Sequence, residues 1–223
     1  MGWMILRPML RLPNLLLLAA LLAQVLAWPW LDGIAGGRLM LVGFDWVILV
    51  LALRAARATG AEARLGWLLL APAVLLHAAE VVFGGSGLYV ASQFAQAAFH
   101  GFVVGCLLRY VLRDDVMTLD ELWALASLYV LLAFVFAYVY AVIEHLAPGA
   151  FFINPTNNPD GVTGWWELLY FSFTCLTSVG FGEITPVHDV ARSVVMIQQV
   201  TGVLYLAIVI SRLIGMNARR RAG

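Results

Sequence analysis

The sequence predicts an all-α membrane protein, a four-helix N-terminal bundle followed by two more spans that flank a short re-entrant helix. Three observations carry that prediction. Of 223 residues, 63% are hydrophobic and only 12% charged, with a mean hydropathy of +0.91. A soluble domain of this size exposes far more charge, so lipid must be part of the solvent. Six apolar stretches lie near residues 13–31, 39–56, 65–83, 88–112, 119–146 and 190–214, each long enough to cross about 30 Å of hydrocarbon. A seventh, about 164–177, is too short to span and runs directly into Thr177-Ser178-Val179-Gly180-Phe181-Gly182-Glu183.

The first span follows Arg7 and Arg11 and ends near Val25-Leu26-Ala27, a pattern that a secretory signal shares. Its apolar run is long for a signal core, and Trp28-Pro29-Trp30 fits an interfacial anchor. Both readings stand, and removal of residues 1–27 would leave the other five spans oriented the same way. Spans two to four carry costly polar groups: Asp45, His77, Glu80, Gln93, Gln96 and His100. Ionisable residues at membrane depth are functional candidates by default. At the helical rise His77 lies roughly 10 Å and His100 roughly 20 Å from the 84–87 turn. His77 and Glu80, three residues apart, share a face. A cluster of His77, Glu80 and His100 would suit a proton or ligand sensor, since histidine titrates near neutrality. A buried hydrogen-bond network that holds the bundle together explains the same residues.

Helix signals continue through the second half. Thr118-Leu119-Asp120-Glu121 has capping-box form and opens the fifth span. Residues 147–163 are rich in Pro, Asn and Gly and read as an outer loop. Thr163 is suited to cap the short helix, with Glu167 favoured in its first turn by the helix dipole. Asp189 is suited to cap the last span. The short helix is aromatic-rich (Trp165, Trp166, Tyr170, Phe171, Phe173). Non-helical backbone behind it is tolerated at membrane depth only where protein or a water-filled cavity surrounds it.

Arginine placement sets the orientation. Arg7, Arg11, Arg54, Arg57, Arg64, Arg109, Arg113, Arg212, Arg219, Arg220 and Arg221 fall on one side, and only Arg38 and Arg192 on the other. Both termini are therefore expected in the cytoplasm, in the plasma membrane (the inner membrane of a bacterium), and the glycine-containing segment faces outside. Zero net charge gives no reason to expect a nucleic-acid partner. Cys106 and Cys175 both sit in apolar stretches and read as packing residues, not a disulfide. No Cys/His spacing suits zinc, and no nucleophile–base pair or phosphate loop stands out, so an enzyme is not expected.

The 177–183 run is the most specific feature. Gly180 and Gly182 can adopt φ > 0 without steric cost. Alternation of left- and right-handed backbone turns successive carbonyls to one side. Four such strands around an axis would stack rings of oxygens that replace the hydration shell of a cation. Ser178 would add a hydroxyl ring at the inner end. The segment resembles the signature of the potassium channel superfamily, Thr-Val-Gly-Tyr-Gly followed by an acid, with Ser178, Phe181 and Glu183 in place of the threonine, the tyrosine and the usual aspartate. Pro186 and Gly202 also stand where family members carry a proline and an inner-helix hinge glycine. The resemblance covers about residues 119–215; over residues 1–112 it is architectural only.

The resemblance implies a pore domain of outer helix, turret, re-entrant pore helix, selectivity filter and inner helix. Carbonyls of Ser178, Val179, Gly180 and Phe181 would line the path and hold permeant K+, with Thr177 packed behind Ser178; no other metal or cofactor is implied. Tyr170 and Phe171 fall in the aromatic cuff that supports the filter. Thr174 stands where some members carry a glutamate paired with the acid after the filter. Phe181 lacks the tyrosine hydroxyl that bonds the cuff. Both departures imply a loosely held filter, prone to inactivation. Glu183 from four subunits would form an acidic ring at the outer mouth. Gly202 would be a gating hinge, or a small residue for close packing.

The organisation expected is thus a four-helix transmembrane domain over 1–114, a pore domain over 115–217 and a short basic tail over 218–223 that could touch anionic lipid, with no regulatory domain after the pore. The four-helix layout resembles that of voltage sensors. A sensor needs repeated arginines in its fourth helix; here only Arg109 lies near the end, with Arg113 just past it, so voltage dependence is expected to be weak or absent. The function expected is a potassium-selective channel subunit, closed as a homotetramer in membrane lipid. The rivals are a less selective monovalent cation channel, and a membrane sensor or binding module with a structural pore-like half.

Overall fold

The computed structural model describes residues 12–31, 33–34, 36–58, 63–113, 118–156, 158 and 161–222. Arg7, Arg11 and the expected boundary at 114/115 lie outside the described residues. The elements in chain order are α1 (Pro13–Leu31), α2 (Gly37–Ala58), α3 (Ala63–Phe83), α4 (Ser86–Val111), α5 (Leu119–Leu146), β1 (Phe151–Ile153), α6 (Trp165–Leu176), β2 (Ile184–Pro186) and α7 (Asp189–Ala222). Six of these helices are long and apolar enough to cross a membrane, and the twelve-residue α6 is not among them. The protein is an all-α membrane protein, as its composition and apolar periods predict.

The chain falls into two compact units, Met1–Val74 with Phe99–Leu132, and Leu75–Ala98 with Ala133–Gly223. In the first, α1 packs along α2, and the Gln24 amide donates to the Asp45 carboxylate. The Asn14 amide donates to Asp120 at 2.6 Å, and the Tyr110 hydroxyl reaches the same carboxylate oxygen at 3.4 Å. Ser127 donates to the Asn14 carbonyl at 2.9 Å. The predicted capping box is present in both directions. The Thr118 N–H donates to Glu121 at 2.6 Å, and the Glu121 N–H donates to the Thr118 hydroxyl at 3.2 Å. Two N-terminal donors that α5 itself cannot satisfy are thereby paired.

The core of the second unit is built on α6. Tyr140, Phe151 and Phe171 form a closed aromatic triangle, with ring centroids 5.0, 5.5 and 5.5 Å apart. Such pairs contribute about 0.5–1.5 kcal/mol each beyond the area they bury. Trp165 packs on Phe134 and Tyr138 at 5.6 and 5.4 Å. Together these rings fix α6 against α5.

Three local expectations are corrected, and one helix runs on past its apolar stretch. The outer loop is not wholly irregular, because β1 pairs antiparallel with β2, Phe151 opposite Pro186 and Ile153 opposite Ile184. Three-residue strands are too short for a period-two pattern to announce them. The residue that caps α6 is Gly164, not Thr163; Glu167 Oε2 accepts the Gly164 N–H at 2.9 Å, which is half of a capping box. The residue that caps α7 is His188, not Asp189. Its Nδ1 accepts the Val190 N–H at 3.3 Å and its carbonyl accepts the Arg192 N–H at 3.0 Å. Finally, α7 continues beyond its apolar run at Ile214 to Ala222, so the 218–222 stretch is helical.

Candidate functional site

The Thr177–Gly182 segment is set by what happens at the end of α6. A helix leaves its last carbonyls without intrahelical partners. Here the chain folds back to use them. Thr177 N–H donates to Phe173 O at 3.0 Å and Ser178 N–H to Cys175 O at 3.2 Å. Val179 and Gly180 N–H groups both reach Thr174 O, at 3.1 and 3.3 Å. The Thr177 hydroxyl adds a bond to Phe173 O at 2.7 Å. None of the described peptide bonds is cis. In a trans peptide each carbonyl points opposite the following N–H. With the amides of Ser178, Val179 and Gly180 aimed at α6, the carbonyls of Thr177, Ser178 and Val179 face away from it, on one side.

Backbone handedness alternates along the same run. Ser178, Gly180 and Gly182 have φ of +59°, +56° and +83°, and Val179 and Phe181 between them do not share that region. Ser178 is the one non-glycine with positive φ among the described residues. Left-handed backbone costs an L-residue roughly 1–2 kcal/mol, so the fold holds Ser178 there against an intrinsic preference.

The outer end is fastened separately. Asn154 N–H donates to Glu183 O at 2.9 Å, which extends the β1–β2 ladder to the residue after the glycines. Glu144, near the end of α5, accepts the N–H groups of Gly149 at 2.7 Å and Phe151 at 3.0 Å and so shapes the turn that delivers β1. The Tyr170 hydroxyl donates to the Glu183 carboxylate. Thr174, by contrast, turns inward, and its hydroxyl donates to Phe171 O at 2.8 Å. The acid after the glycines therefore has a tie to the short helix, made from Tyr170 and not from position 174.

Phe181 is 70% exposed in the single chain. It borders a cleft of about 660 Å³ whose walls include Tyr170, Glu183, Arg192, Met196 and Gln199. Gly202 lies where α7 passes the end of α6. A Cβ on Gly202 would overlap the Leu176 carbonyl oxygen. Only glycine admits this approach.

The three candidate sensor residues are distributed as follows. His77 and Glu80 belong to the second unit, where Gln96 Nε2 and His77 Nδ1 are 3.3 Å apart. His100 belongs to the first, where its ring meets Phe99 edge-on at 5.8 Å. Among the described residues no group of three His, Cys, Asp or Glu side chains could hold a metal ion. Cys106 and Cys175 are free and buried.

Sequence reasoning passed over Ser172 and Gln198. Both are wholly buried, and the Gln198 amide donates to the Ser172 carbonyl at 3.0 Å and to its hydroxyl at 2.7 Å. The signal was available, since a glutamine in the middle of an apolar span is as costly as the polar groups singled out in spans two to four.

Residues 125–219 match the family model described as "Ion channel". The chain is also similar to "Protein LctB" of Bacillus caldotenax, 28% identical over 97 residues, which cover 43% of this chain and 72% of that one. Against "Protein LctB" of Geobacillus stearothermophilus it is 28% identical over 105 residues, 47% of this chain and 78% of that one. No solved structure matches. The family match runs from within α5 to near the end of α7 and includes the folded-back segment between them. The chain is thus an all-α membrane protein with six candidate spans, whose residues 125–219 match the ion-channel family model.

Proposed function

We propose that this chain is one subunit of a potassium-selective channel, a homotetramer that conducts K+ passively through a filter of Thr177, Ser178, Val179, Gly180, Phe181 and Gly182. The observation that carries the reading is the alternation of φ at Ser178, Gly180 and Gly182, combined with amides that turn back to α6. It leaves a row of carbonyls on one side of the strand, the arrangement a dehydrated cation requires. One chain supplies one such strand, so closure of the oxygen rings needs four copies about an axis. Tyr170, Phe171 and Thr174 support the filter from behind, and Glu183 concentrates cations at the outer mouth. The arginine bias puts both termini in the cytoplasm and the filter toward the outside.

A less selective cation pore is the second reading, favoured by one observation. Phe181 has no hydroxyl with which to bond the cuff behind it. Reversal potentials in planar bilayers, with mixed K+ and Na+ at opposed gradients on the two sides, separate the two. A reversal near the K+ equilibrium potential supports the potassium channel, and a reversal near zero supports the less selective pore.

A further inference from the structure

Three helices of the second unit meet in one buried polar junction that the channel reading does not account for. At its centre is Gln198 of α7, which is 0% exposed. Its amide nitrogen donates to both the carbonyl and the hydroxyl of Ser172 on α6. Its amide oxygen accepts the Tyr140 hydroxyl from α5. The Ser172 hydroxyl donates onward to the Ala133 carbonyl of α5 at 2.7 Å. Tyr140, Ser172 and Ala133 are also 0% exposed, so neither lipid headgroups nor water can replace a lost partner. A junction that is complete in this way specifies a single arrangement of its members.

The register of the contact matters as much as its polarity. Gln198 and Gly202 are one helical turn apart on α7. They meet Ser172 and Leu176, one turn apart on α6. Residues at this spacing lie on one face of a helix. The two helices are thus locked at two successive points, one by hydrogen bonds and one by backbone contact. Between those points on α6 lie Thr174 and Cys175, whose carbonyls accept the amides of Ser178, Val179 and Gly180. A turn or slide of α6 at Ser172 moves the acceptors that hold the filter backbone.

We propose that Gln198 is a positioning residue for ion selectivity. Through Ser172 and Tyr140 it fixes the rotation and depth of the pore helix, and through the Thr174 and Cys175 carbonyls it fixes the filter strand. The inference rests on the channel reading of residues 177–182. It touches no ion itself.

The test compares wild type, Gln198→Leu, Tyr140→Phe and Ser172→Ala as full-length protein in lipid nanodiscs and in planar bilayers. Amide exchange is read over 177–180, and reversal potentials under K+/Na+ gradients. The expected result for Gln198→Leu is at least tenfold faster exchange of the Val179 and Gly180 amides, unchanged exchange in β1, and at least a tenfold fall in K+ over Na+ preference. The single-hydroxyl variants are expected to shift both readouts in the same direction by less, and they carry the test if Gln198→Leu fails to assemble. Wild-type exchange over 177–180 in the variants overturns the positioning role. Faster exchange with unchanged ion preference overturns its bearing on selectivity. A wild-type protein without K+ preference overturns the channel reading instead, and the exchange data then still decide whether Gln198 positions the strand.

Discussion

At Ser178 a non-glycine residue is held at φ +59°, and the reason lies in its neighbours. Its N–H and the next two are drawn back to the Thr174 and Cys175 carbonyls at the end of α6. Gly180 was legible in the sequence because glycine is the default for such backbone; Ser178 was not, because serine carries no signal for it. Gly202 was legible as a small residue in an apolar helix, and the overlap that any Cβ would make with Leu176 O explains why it is small. Gly202→Ala is expected to lower stability by about 1–3 kcal/mol, the usual cost of overpacking, seen as a lower melting temperature of the purified protein. A residue that served only as a hinge would tolerate alanine, a better helix former, with no loss or a gain.

Tyr170 gives a second test at this scale. Removing its hydroxyl in Tyr170→Phe releases Glu183 and is expected to speed current decay, with raised external K+ slowing that decay again. A decay rate in Tyr170→Phe equal to that of wild type would show that another group makes the tie.

Among the elements, the long ones were legible and the short ones were not. Six apolar runs gave six helices with ends within about two residues, apart from the continuation of α7 past Ile214, because an apolar run long enough to span has little alternative to a helix in lipid. The β1–β2 pair was missed because its six residues are fixed by the ladder itself, by the Asn154–Glu183 bond and by the packing of Phe151 on Phe171, which are contacts remote in sequence. The caps at Gly164 and His188 were each misplaced by one residue, since Thr163 offers a side-chain acceptor that Gly164 lacks and Asp189 is a preferred cap by propensity. On α4, only Arg109 lies in the last turn. Conductance is expected to change less than twofold between −100 and +100 mV, and a steep sigmoid in bilayer recordings would require charges the helix does not carry. The polar residues of α3 and α4 belong to the same scale. His77→Gln and His100→Gln are expected to leave the pH dependence of current unchanged, because glutamine can keep a bond such as that between His77 and Gln96.

For the molecule as a whole, the match to the ion-channel family over 125–219 takes in the helix α6, on which an aromatic cluster and a buried hydrogen-bond junction converge. The strand behind that helix has the amides of Thr177, Ser178, Val179 and Gly180 committed to the helix, which is what the proposed cation path along its carbonyls requires. Potassium-gradient flux into liposomes holding the purified protein, with sodium substitution, barium block and a Gly180→Ala control, tests this most directly. Barium-sensitive flux of K+ over Na+ is expected, abolished in Gly180→Ala because alanine resists φ +56°. Equal flux of both ions, or K+ flux that survives Gly180→Ala, would contradict that path.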